Sequence, residues 1–224
     1  METHFDQDLN SLKERLRHMG AQAERMVQAS VRSLVSREAK ELESVFSIER
    51  EVNALHVEID NRALDLMALH QPVASDLRLL VMAIKISSEI ERIADQAVNI
   101  AQNTQIYLQH PALKSLPELP MMTDAVLQML HKSLDAFIRK DASLAQDVLR
   151  ADDTVDAFKN QIFQTLLGIM TSDAAAAPRA LCLVLISRNL ERIGDHATNI
   201  AEEVIYLVQG RDIRHAGETH TKGS

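Results

Sequence analysis

The feature that most constrains the fold is an internal repeat in the sequence. The segment ISSEIERIADQAVNIAQ, at residues 86–102, matches ISRNLERIGDHATNIAE, at residues 186–202, at ten of seventeen positions. Upstream, the two halves match at an offset of 103 residues, in the pairs Glu38 and Asp141, Val45 and Val148, Glu49 and Asp152, Val52 and Val155, Ile59 and Ile162, and Met67 and Met170. The simplest explanation is two copies of one structural unit of about 100 residues each.

Apolar residues recur at steps of three and four along both halves, which is the pattern of amphipathic helices. The clearest stripe consists of Leu9, Leu12, Leu16, Met19, Ala23 and Met26. Only 3% of residues are aromatic and no two-residue alternation stands out, so strands are not predicted. Three helices are expected in each half, several of them about 30 residues and so roughly 45 Å long. Because such helices with short connections pack as antiparallel bundles, the sequence predicts an all-α protein of two tandem three-helix bundles.

The predicted boundary between the two units is the proline-rich segment QHPALKSLPELP. Its prolines, Pro111, Pro117 and Pro120, fix φ and remove backbone donors, so no helix is expected to run through it. Within the halves, helix breaks are expected near residues 36–38 and 140–143. The predicted organisation is a first bundle over 1–107, a linker over 108–120, a second bundle over 121–210 and a polar, disordered tail over 211–224.

The composition limits the classes of partner. The formal charge is −8, with 32 acidic and 24 basic residues, which argues against nucleic acid or an anionic membrane surface as the main partner. Cys182 is the only cysteine, so an intramolecular disulfide and cysteine-based zinc sites are excluded. The N-terminal segment lacks the apolar run of a secretory signal, and no apolar stretch reaches the ~18 residues of a transmembrane helix. We therefore expect a cytoplasmic protein that approaches a membrane only through protein partners.

The repeated motif carries polar residues that core packing alone does not require. Each copy places a glutamate, an aspartate and an asparagine at intervals of four, namely Glu91, Asp95 and Asn99, and Glu191, Asp195 and Asn199. Four residues advance a helix by only about 40° beyond a full turn, so each triplet lies in one narrow sector. Ala94 or Gly194 stands between the two acids, and a residue this small would let a neighbouring helix approach.

The helical wheel of the first copy predicts where the acids lie. Their sector also contains apolar residues, namely Leu77, Leu80 and Ile84. A different stripe, roughly 100° away, is expected to be solvated, and it consists of Arg78, Lys85, Arg92 and Gln96. The acids are therefore expected beside the core rather than on the open face.

Two acids at i and i+4 repel each other by a few tenths of a kcal/mol on an isolated helix, so a repeated pair calls for compensation. The nearby arginines Arg92, Arg188 and Arg192 could supply it through salt bridges. A hard cation could supply it equally, because carboxylate and amide oxygens are its preferred ligands. Glu49 and Asp152, at matching places in the two halves, could complete an acidic cluster across a helix pair. From the residues alone, a metal site and a network of salt bridges stay open as alternatives.

Motifs of the common enzyme classes are lacking. A carboxylate-bridged di-iron bundle normally carries Glu-x-x-His on two helices, and this sequence contains no such motif. It also lacks the Gly-x-x-x-x-Gly-Lys loop, the Gly-x-Gly-x-x-Gly turn and the Gly-x-Ser-x-Gly elbow. No catalytic or organic-cofactor residue is therefore predicted. A metalloenzyme built on the acids and a purely structural helical protein stay as alternatives to a binding or regulatory role.

The sequence resembles the PhoU family of phosphate-transport-system regulatory proteins over nearly its whole length. The resemblance is carried by QPVASDLR at 71–78, ERIADQAVNI at 91–100, ERIGDHATNI at 191–200 and GRDIRH at 210–215. It implies a cytoplasmic, non-enzymatic regulator that restrains the phosphate-starvation response and limits phosphate uptake when phosphate is plentiful. The implied partners are the ATPase subunit of the phosphate ABC transporter and the sensor histidine kinase of the phosphate two-component system. We also expect a homodimer.

The resemblance further implies that divalent or trivalent metal ions bind at the repeated acids, with Fe, Mn, Mg or Zn as candidates. Carried over by position, it points first to Glu91, Asp95, Glu191 and Asp195. The additional ligands that it implies are Asn99, Asn199, Glu49, Asp152 and Asp156. Because Asn53 stands where the second copy has Asp156, the first site is expected to be the poorer one.

Overall fold

Six long helices make up almost all of the structure, a computed structural model that describes residues 4–210. They are α1 (His4–Ser36), α2 (Leu42–His70), α3 (Ala74–Leu108), α4 (Glu118–Arg139), α5 (Ala142–Ser172) and α6 (Ala177–Gln209). Single 3₁₀ turns precede α2 and α6, and residues 4–210 contain no strand. The all-α prediction is confirmed. The predicted tail, 211–224, lies outside the described residues.

The helices form two three-helix units. In the first, α1, α2 and α3 pack against one another, and in the second, α4, α5 and α6 do the same. Apolar stripes from each helix fill the two interiors, so that residues such as Leu12, Ile59, Ile90, Ile162 and Leu190 are completely or almost completely buried. The two tandem three-helix bundles predicted from the repeat are therefore present.

Left-handed residues separate consecutive helices within each half, and a side-chain cap begins α5. Arg37 has a φ of +60° between α1 and α2, and Lys140 has a φ of +54° between α4 and α5, so both helix breaks fall at the predicted positions. The Asp141 carboxylate accepts hydrogen bonds from the backbone amides of Ser143 and Leu144 at the start of α5. Such a cap satisfies amide groups that lack a partner within the helix.

The proline-rich connection is fastened to the ends of the helices that it joins. Helix α3 ends at Leu108 and α4 begins at Glu118, with Pro120 in the first turn of α4, where a helix tolerates proline. The Leu113 amide donates a hydrogen bond to the Tyr107 hydroxyl at 2.9 Å. The Arg37 guanidinium lies 5.4 Å above the Tyr107 ring and donates to the backbone carbonyl of His110 at 2.5 Å. The connection is thus held against α1 and α3.

The two bundles meet mainly through their last helices, since α3 packs along α6, and the first helices, α1 and α4, also contact each other. Polar contacts cross the α3–α6 interface. Lys85 Nζ lies 2.9 Å from Glu203 Oε1, and His196 Nδ1 lies 2.8 Å from Glu89 Oε2, which also accepts from Asn199 Nδ2 at 3.1 Å. These contacts join the first and second copies of the repeat into one body.

The interface overturns part of the predicted solvated stripe. Arg78 and Arg92 are exposed as expected, but Gln96 is buried and Lys85 is only partly exposed in its pair with Glu203. The prediction was wrong for Gln96 and Lys85 because a helical wheel treats one bundle in isolation, whereas the second bundle covers this side of α3.

No helix within residues 4–210 combines the length and the apolar character that crossing a lipid bilayer requires.

We predict that Glu89→Gln destabilises the protein by about 1 kcal/mol at pH 7, because the half-buried carboxylate loses its charge-assisted hydrogen bonds. Burial raises the pKa of Glu89, but the hydrogen bonds from His196 and Asn199 and the positive charges of His196 and Arg92 outweigh it and lower the pKa. The stabilisation is therefore fully present above the ordinary value of 4.5 and is lost as the pH falls through the lowered pKa.

Urea unfolding of wild type and Glu89→Gln at several pH values measures this difference. The exposed Glu43→Gln serves as a control, since it changes the same charge away from the interface. A difference between wild type and Glu89→Gln that stays constant down to pH 3 would contradict the assignment.

Candidate functional site

The repeated acids lie at the edges of two equivalent helix pairs. In the first bundle, Glu91 and Asp95 on α3 lie near Glu49 on α2, and we call these three residues the first acidic cluster. In the second bundle, Glu191 and Asp195 on α6 lie near Asp152 and Asp156 on α5, and we call these four the second acidic cluster. The structure therefore joins Glu49, Asp152 and Asp156 to the motif acids, as the matching positions in the two halves suggested.

The residue between the two motif acids is small because the neighbouring helix lies close to it. Ala94 is completely buried, and Gly194 is buried against α5. A Cβ added to Gly194 would lie 3.5 Å from Val155 Cγ1 and 3.6 Å from Asp152 Oδ1, which is ordinary van der Waals contact. The Asp152 carboxylate thus lies directly against the backbone of the motif helix.

Burial and mutual repulsion raise the pKa values of the first acidic cluster. For Glu91, burial is the largest cause, followed by the negative charge of Asp95, with a smaller contribution from Glu49. For Asp95, burial again comes first and Glu49 second. His56 and Arg92 oppose the shift at Glu91. The cluster is therefore an electronegative edge that still lacks full compensation.

Asn53 adds an amide group beside the first acidic cluster. Its Nδ2 donates to Glu49 Oε1 at 3.0 Å. Its Oδ1 is buried and accepts no hydrogen bond within the described residues. A buried acceptor of this kind carries a desolvation cost that a cation or an ordered water would remove.

The second acidic cluster shows the stronger effect. Burial raises the pKa of Asp152 to about 6, aided by the negative charges of Asp195, Asp156, Asp153 and Glu191. The pKa of Asp195 is also raised, first by burial and then by Glu191. Four carboxylates from two helices thus face one another at this edge.

A lysine that sequence reasoning missed enters the second acidic cluster. Lys159 Nζ lies 2.7 Å from Asp156 Oδ1 and 2.8 Å from Glu191 Oε1, and so it bridges α5 and α6. These two hydrogen bonds raise the pKa of Lys159 above its ordinary value despite the opposing effect of burial. The offset of 103 residues that aligns Glu49 with Asp152 also aligns His56 with Lys159, so the repeat contained the signal.

The arginines expected as partners of the acids lie elsewhere. Arg92 pairs with Glu89 at 3.2 Å rather than with Glu91, and Arg188 and Arg192 are exposed. In the part of the chain from 4 to 210, no arginine forms an ion pair with Glu91, Asp95, Glu191 or Asp195. Salt bridges to arginine therefore do not compensate the repeated acids.

The two asparagines of the motif differ from the acids in their surroundings. Asn199 donates through Nδ2 to Glu89 across the α3–α6 interface, so its amide faces the other bundle. The backbone carbonyl of Asn99 accepts from Asn103 Nδ2 at 2.8 Å. Metal ligation by Asn99 or Asn199 stays a prediction.

The donor chemistry of both clusters suits a hard cation, because carboxylates that lie close together and repel one another are stabilised by one. Among residues 4–210, no three His, Cys, Asp or Glu side chains already converge in the geometry of a metal centre. The carboxylates of each cluster would therefore change rotamer to hold an ion. Such movement is open to them, since Asp95, Asp156 and Asp195 are exposed at the edge of their helix pairs.

Comparisons with known proteins agree with the duplicated architecture. The PhoU domain family matches this chain twice, at residues 16–104 and 119–204. The phosphate-specific transport system accessory protein PhoU homolog of Pseudomonas aeruginosa is 36% identical over 219 residues, covering 97% of this chain and 90% of the relative. The phosphate-specific transport system accessory protein PhoU of Escherichia coli K12 is 34% identical over 216 residues, covering 95% and 88%.

Solved structures show the same fold. The crystal structure of PhoU from Pseudomonas aeruginosa matches with a TM-score of 0.88 and 34% identity, covering 93% of this chain and 100% of the other. The crystal structure of the phosphate transport system regulatory protein PhoU from Streptococcus pneumoniae matches with a TM-score of 0.87 and 25% identity, covering 93% and 99%. Both coverages extend over the two bundles.

We predict that Asp152→Asn stabilises the metal-depleted protein at pH 8 by about 1–2 kcal/mol, a value discounted for solvent screening. The folded pKa of about 6 lies above the ordinary 3.8, so ionised Asp152 destabilises the folded state. This penalty is fully present above pH 6 and disappears as the pH falls towards 3.8.

Urea unfolding in the presence of a chelator, at pH 8 and at pH 4, measures the effect of Asp152→Asn. The exposed Asp124→Asn on α4 is the control and is expected to leave the free energy of unfolding unchanged. Equal effects of Asp152→Asn at both pH values would contradict the assigned repulsion.

Proposed function

This chain belongs to the PhoU family, and we propose that it is a non-enzymatic accessory protein of the phosphate-specific transport system. The observation that carries this proposal is the match of both halves, over nearly the whole chain, to proteins named as accessory to that system. In this role it acts in the cytoplasm as a negative regulator. It limits high-affinity phosphate uptake and restrains the phosphate-starvation response when phosphate is plentiful.

The proposed mechanism is that of an adaptor between two partners. One partner is the ATPase subunit of the phosphate ABC transporter, and the other is the sensor histidine kinase of the phosphate two-component system. The net charge of −8 favours basic protein surfaces over nucleic acid. Contact with the membrane would then pass through these partners, and the chain itself would associate as a homodimer.

Exposed apolar residues on the two helical hairpins support contacts with proteins. The first hairpin face, on α2 and α3, consists of Leu64, Leu77 and Val81, and the second hairpin face, on α5 and α6, consists of Phe163, Leu167, Leu181 and Leu185. The repeat aligns Leu64 with Leu167 and Val81 with Leu181. Exposed apolar side chains are candidate contact residues when they form a patch, and two related but unequal faces suit two different partners.

We propose that the two acidic clusters bind divalent or trivalent metal ions, with Fe, Mn, Mg or Zn as candidates. Glu49, Glu91 and Asp95 would hold an ion in the first bundle, and Asp152, Asp156, Glu191 and Asp195 in the second. A bound cation would supply positive charge to the carboxylates that form no ion pair within residues 4–210, those of Glu91, Asp95, Asp152 and Asp195 among them. The protein's own part is to hold the acids of two helices beside a buried seam, at Ala94 and Gly194. Phosphate is not expected as a direct ligand of these acids, because anionic clusters repel it unless a cation bridges the two.

The regulatory proposal predicts that deleting the gene derepresses phosphate-starvation genes in phosphate-rich medium, and that a full-length copy restores repression. Transcript levels of those genes in the deletion strain and the complemented strain measure this. Silence of the starvation genes after deletion would refute the regulatory role.

The adaptor proposal predicts that Leu77→Glu with Val81→Glu, or Leu181→Glu with Leu185→Glu, reduces capture of at least one partner. A pull-down with the transporter ATPase and with the cytoplasmic region of the kinase measures capture. Val35→Glu is the control, since Val35 is an exposed apolar residue outside both hairpin faces. If both double variants capture both partners as well as wild type does, the hairpin faces are not the contact surfaces.

The metal proposal predicts that replacing Glu91, Asp95, Glu191 and Asp195 by alanine abolishes metal binding. Elemental analysis after incubation with Mn²⁺ and gel filtration measures the metal content of each protein. The control variant replaces four exposed acids outside both clusters, Glu14, Glu43, Asp65 and Asp124, by alanine. Equal metal content in wild type and the cluster variant would overturn the assignment.

A further inference from the structure

The two acidic clusters differ in one residue that carries a charge of its own. Lys159 bridges Asp156 and Glu191, and its side chain is 29% exposed, so the ammonium is partly shielded from water. In the first acidic cluster, the aligned residue is His56. The copies are therefore unequal at this position.

The surroundings of His56 explain why no equivalent bridge forms in the first bundle. His56 Nε2 lies 3.5 Å from Asp60 Oδ2 on α2 and 3.4 Å from Ser88 Oγ on α3, so it contacts these two groups rather than Glu91. The repeat places Phe163 where the first copy has Asp60, and Arg188 where it has Ser88. The second copy thus lacks these alternative partners, and Lys159 extends to the motif instead.

We propose that Lys159 is a built-in counter-ion that takes the place of a metal ion in the second acidic cluster and makes it the weaker metal site. The inference rests on the proposed metal binding. It reverses the expectation, drawn from Asn53, that the first cluster is the poorer site.

The geometry gives the reason. Two of the four carboxylates in the second acidic cluster, those of Asp156 and Glu191, are already hydrogen-bonded to an ammonium group. A metal ion there must either displace Lys159 or use Asp152 and Asp195 alone, whereas the first acidic cluster offers the three carboxylates of Glu49, Glu91 and Asp95. In the first acidic cluster, Glu91 and Asp95 make no ion pair within residues 4–210, and Asn53 Oδ1 is a buried acceptor beside Glu49.

A functional difference between the bundles follows. Lys159 holds α5 and α6 together without metal, so the fold of the second bundle would be insensitive to metal supply. The helix pair of the first bundle is joined by hydrogen bonds, from Ser87 Oγ to Asp60 Oδ1 and between Ser88 Oγ and His56 Nε2. Among residues 4–210, however, no cation forms an ion pair with Glu91 or Asp95, so these acids would gain more from a metal ion. The first bundle would then be the half that binds metal more tightly.

The test compares full-length wild type and Lys159→Met, both depleted of metal with a chelator and then titrated with Mn²⁺ by calorimetry. For wild type, we expect one tight site per chain and a second site weaker by about tenfold or more, because an ion must break two charge-assisted hydrogen bonds. For Lys159→Met, the second site should tighten by about the same factor. Arg150→Met is the control, since it removes the same charge from the same helix outside the cluster.

Two further variants keep the test decisive. Glu91→Gln should remove the tight site from wild type and leave one tight site in the background of Lys159→Met. Lys159→Gln keeps amide donors without the charge and should tighten the second site by an intermediate factor, which covers the case in which Lys159→Met unfolds. Without metal, Lys159→Met should also melt below wild type, and Mn²⁺ should restore its Tm, whereas Arg150→Met should show neither effect.

The outcomes separate this inference from the proposed metal binding. If Glu91→Gln removes the tight site but neither Lys159 variant gains affinity, metal binding stands and the role of Lys159 is overturned. If Arg150→Met gains as much affinity for Mn²⁺ as Lys159→Met does, the change in net charge explains the gain and the inference fails. If no variant binds Mn²⁺, both the metal proposal and the inference fall.

Discussion

The rest of the structure depends on the burial of α3 and α6 on two sides. Each helix packs into its own three-helix bundle, and the two then pack along each other. A helix covered on two sides has only a narrow edge left for charge, and Glu91 and Glu191 lie on that edge. The acids are consequently drawn against the adjoining helices α2 and α5, where burial and like charges raise the pKa values of Glu91, Asp95, Asp152 and Asp195.

Because of the duplication, each bundle contains a cluster of acids that repel one another, and the two copies differ in how these acids are compensated. The second copy recruits Lys159 from within the bundle, whereas the first has His56 turned towards Asp60. The two copies also differ at the contact between the bundles, where Glu89 of the first copy pairs with His196 of the second. The residues aligned with them, Asn189 and Gln96, are uncharged. A repeat that keeps its apolar positions can therefore vary its charges without losing the fold.

Much of the fold could be predicted from periodicity, because the apolar stripes of six helices and a proline-rich break follow from local sequence alone. The pairing of Glu49 with the motif of α3 was also predictable, since the repeat aligns it with Asp152. Contacts between the bundles were not predictable, because a helical wheel carries no information on the second neighbour of α3, and Gln96 was wrongly expected in solvent. Lys159 was missed for a related reason. The spacing of the acids along α6 carries no information on a cation from α5, although the alignment of the two halves places Lys159 beside them.

These features connect the physical structure to the proposed regulation. Two unequal bundles, joined by a partly buried interface, offer two hairpin faces to partners, and each bundle carries acids whose repulsion a cation would relieve. The central claim is that both acidic clusters bind metal and that the first binds it more tightly. Anomalous diffraction from crystals grown with Mn²⁺ tests this claim most directly. We predict a strong anomalous peak among Glu49, Glu91 and Asp95, and a weaker one beside Asp152 and Asp195. The absence of anomalous density at both acidic clusters, in crystals with Mn²⁺ bound elsewhere, would contradict it.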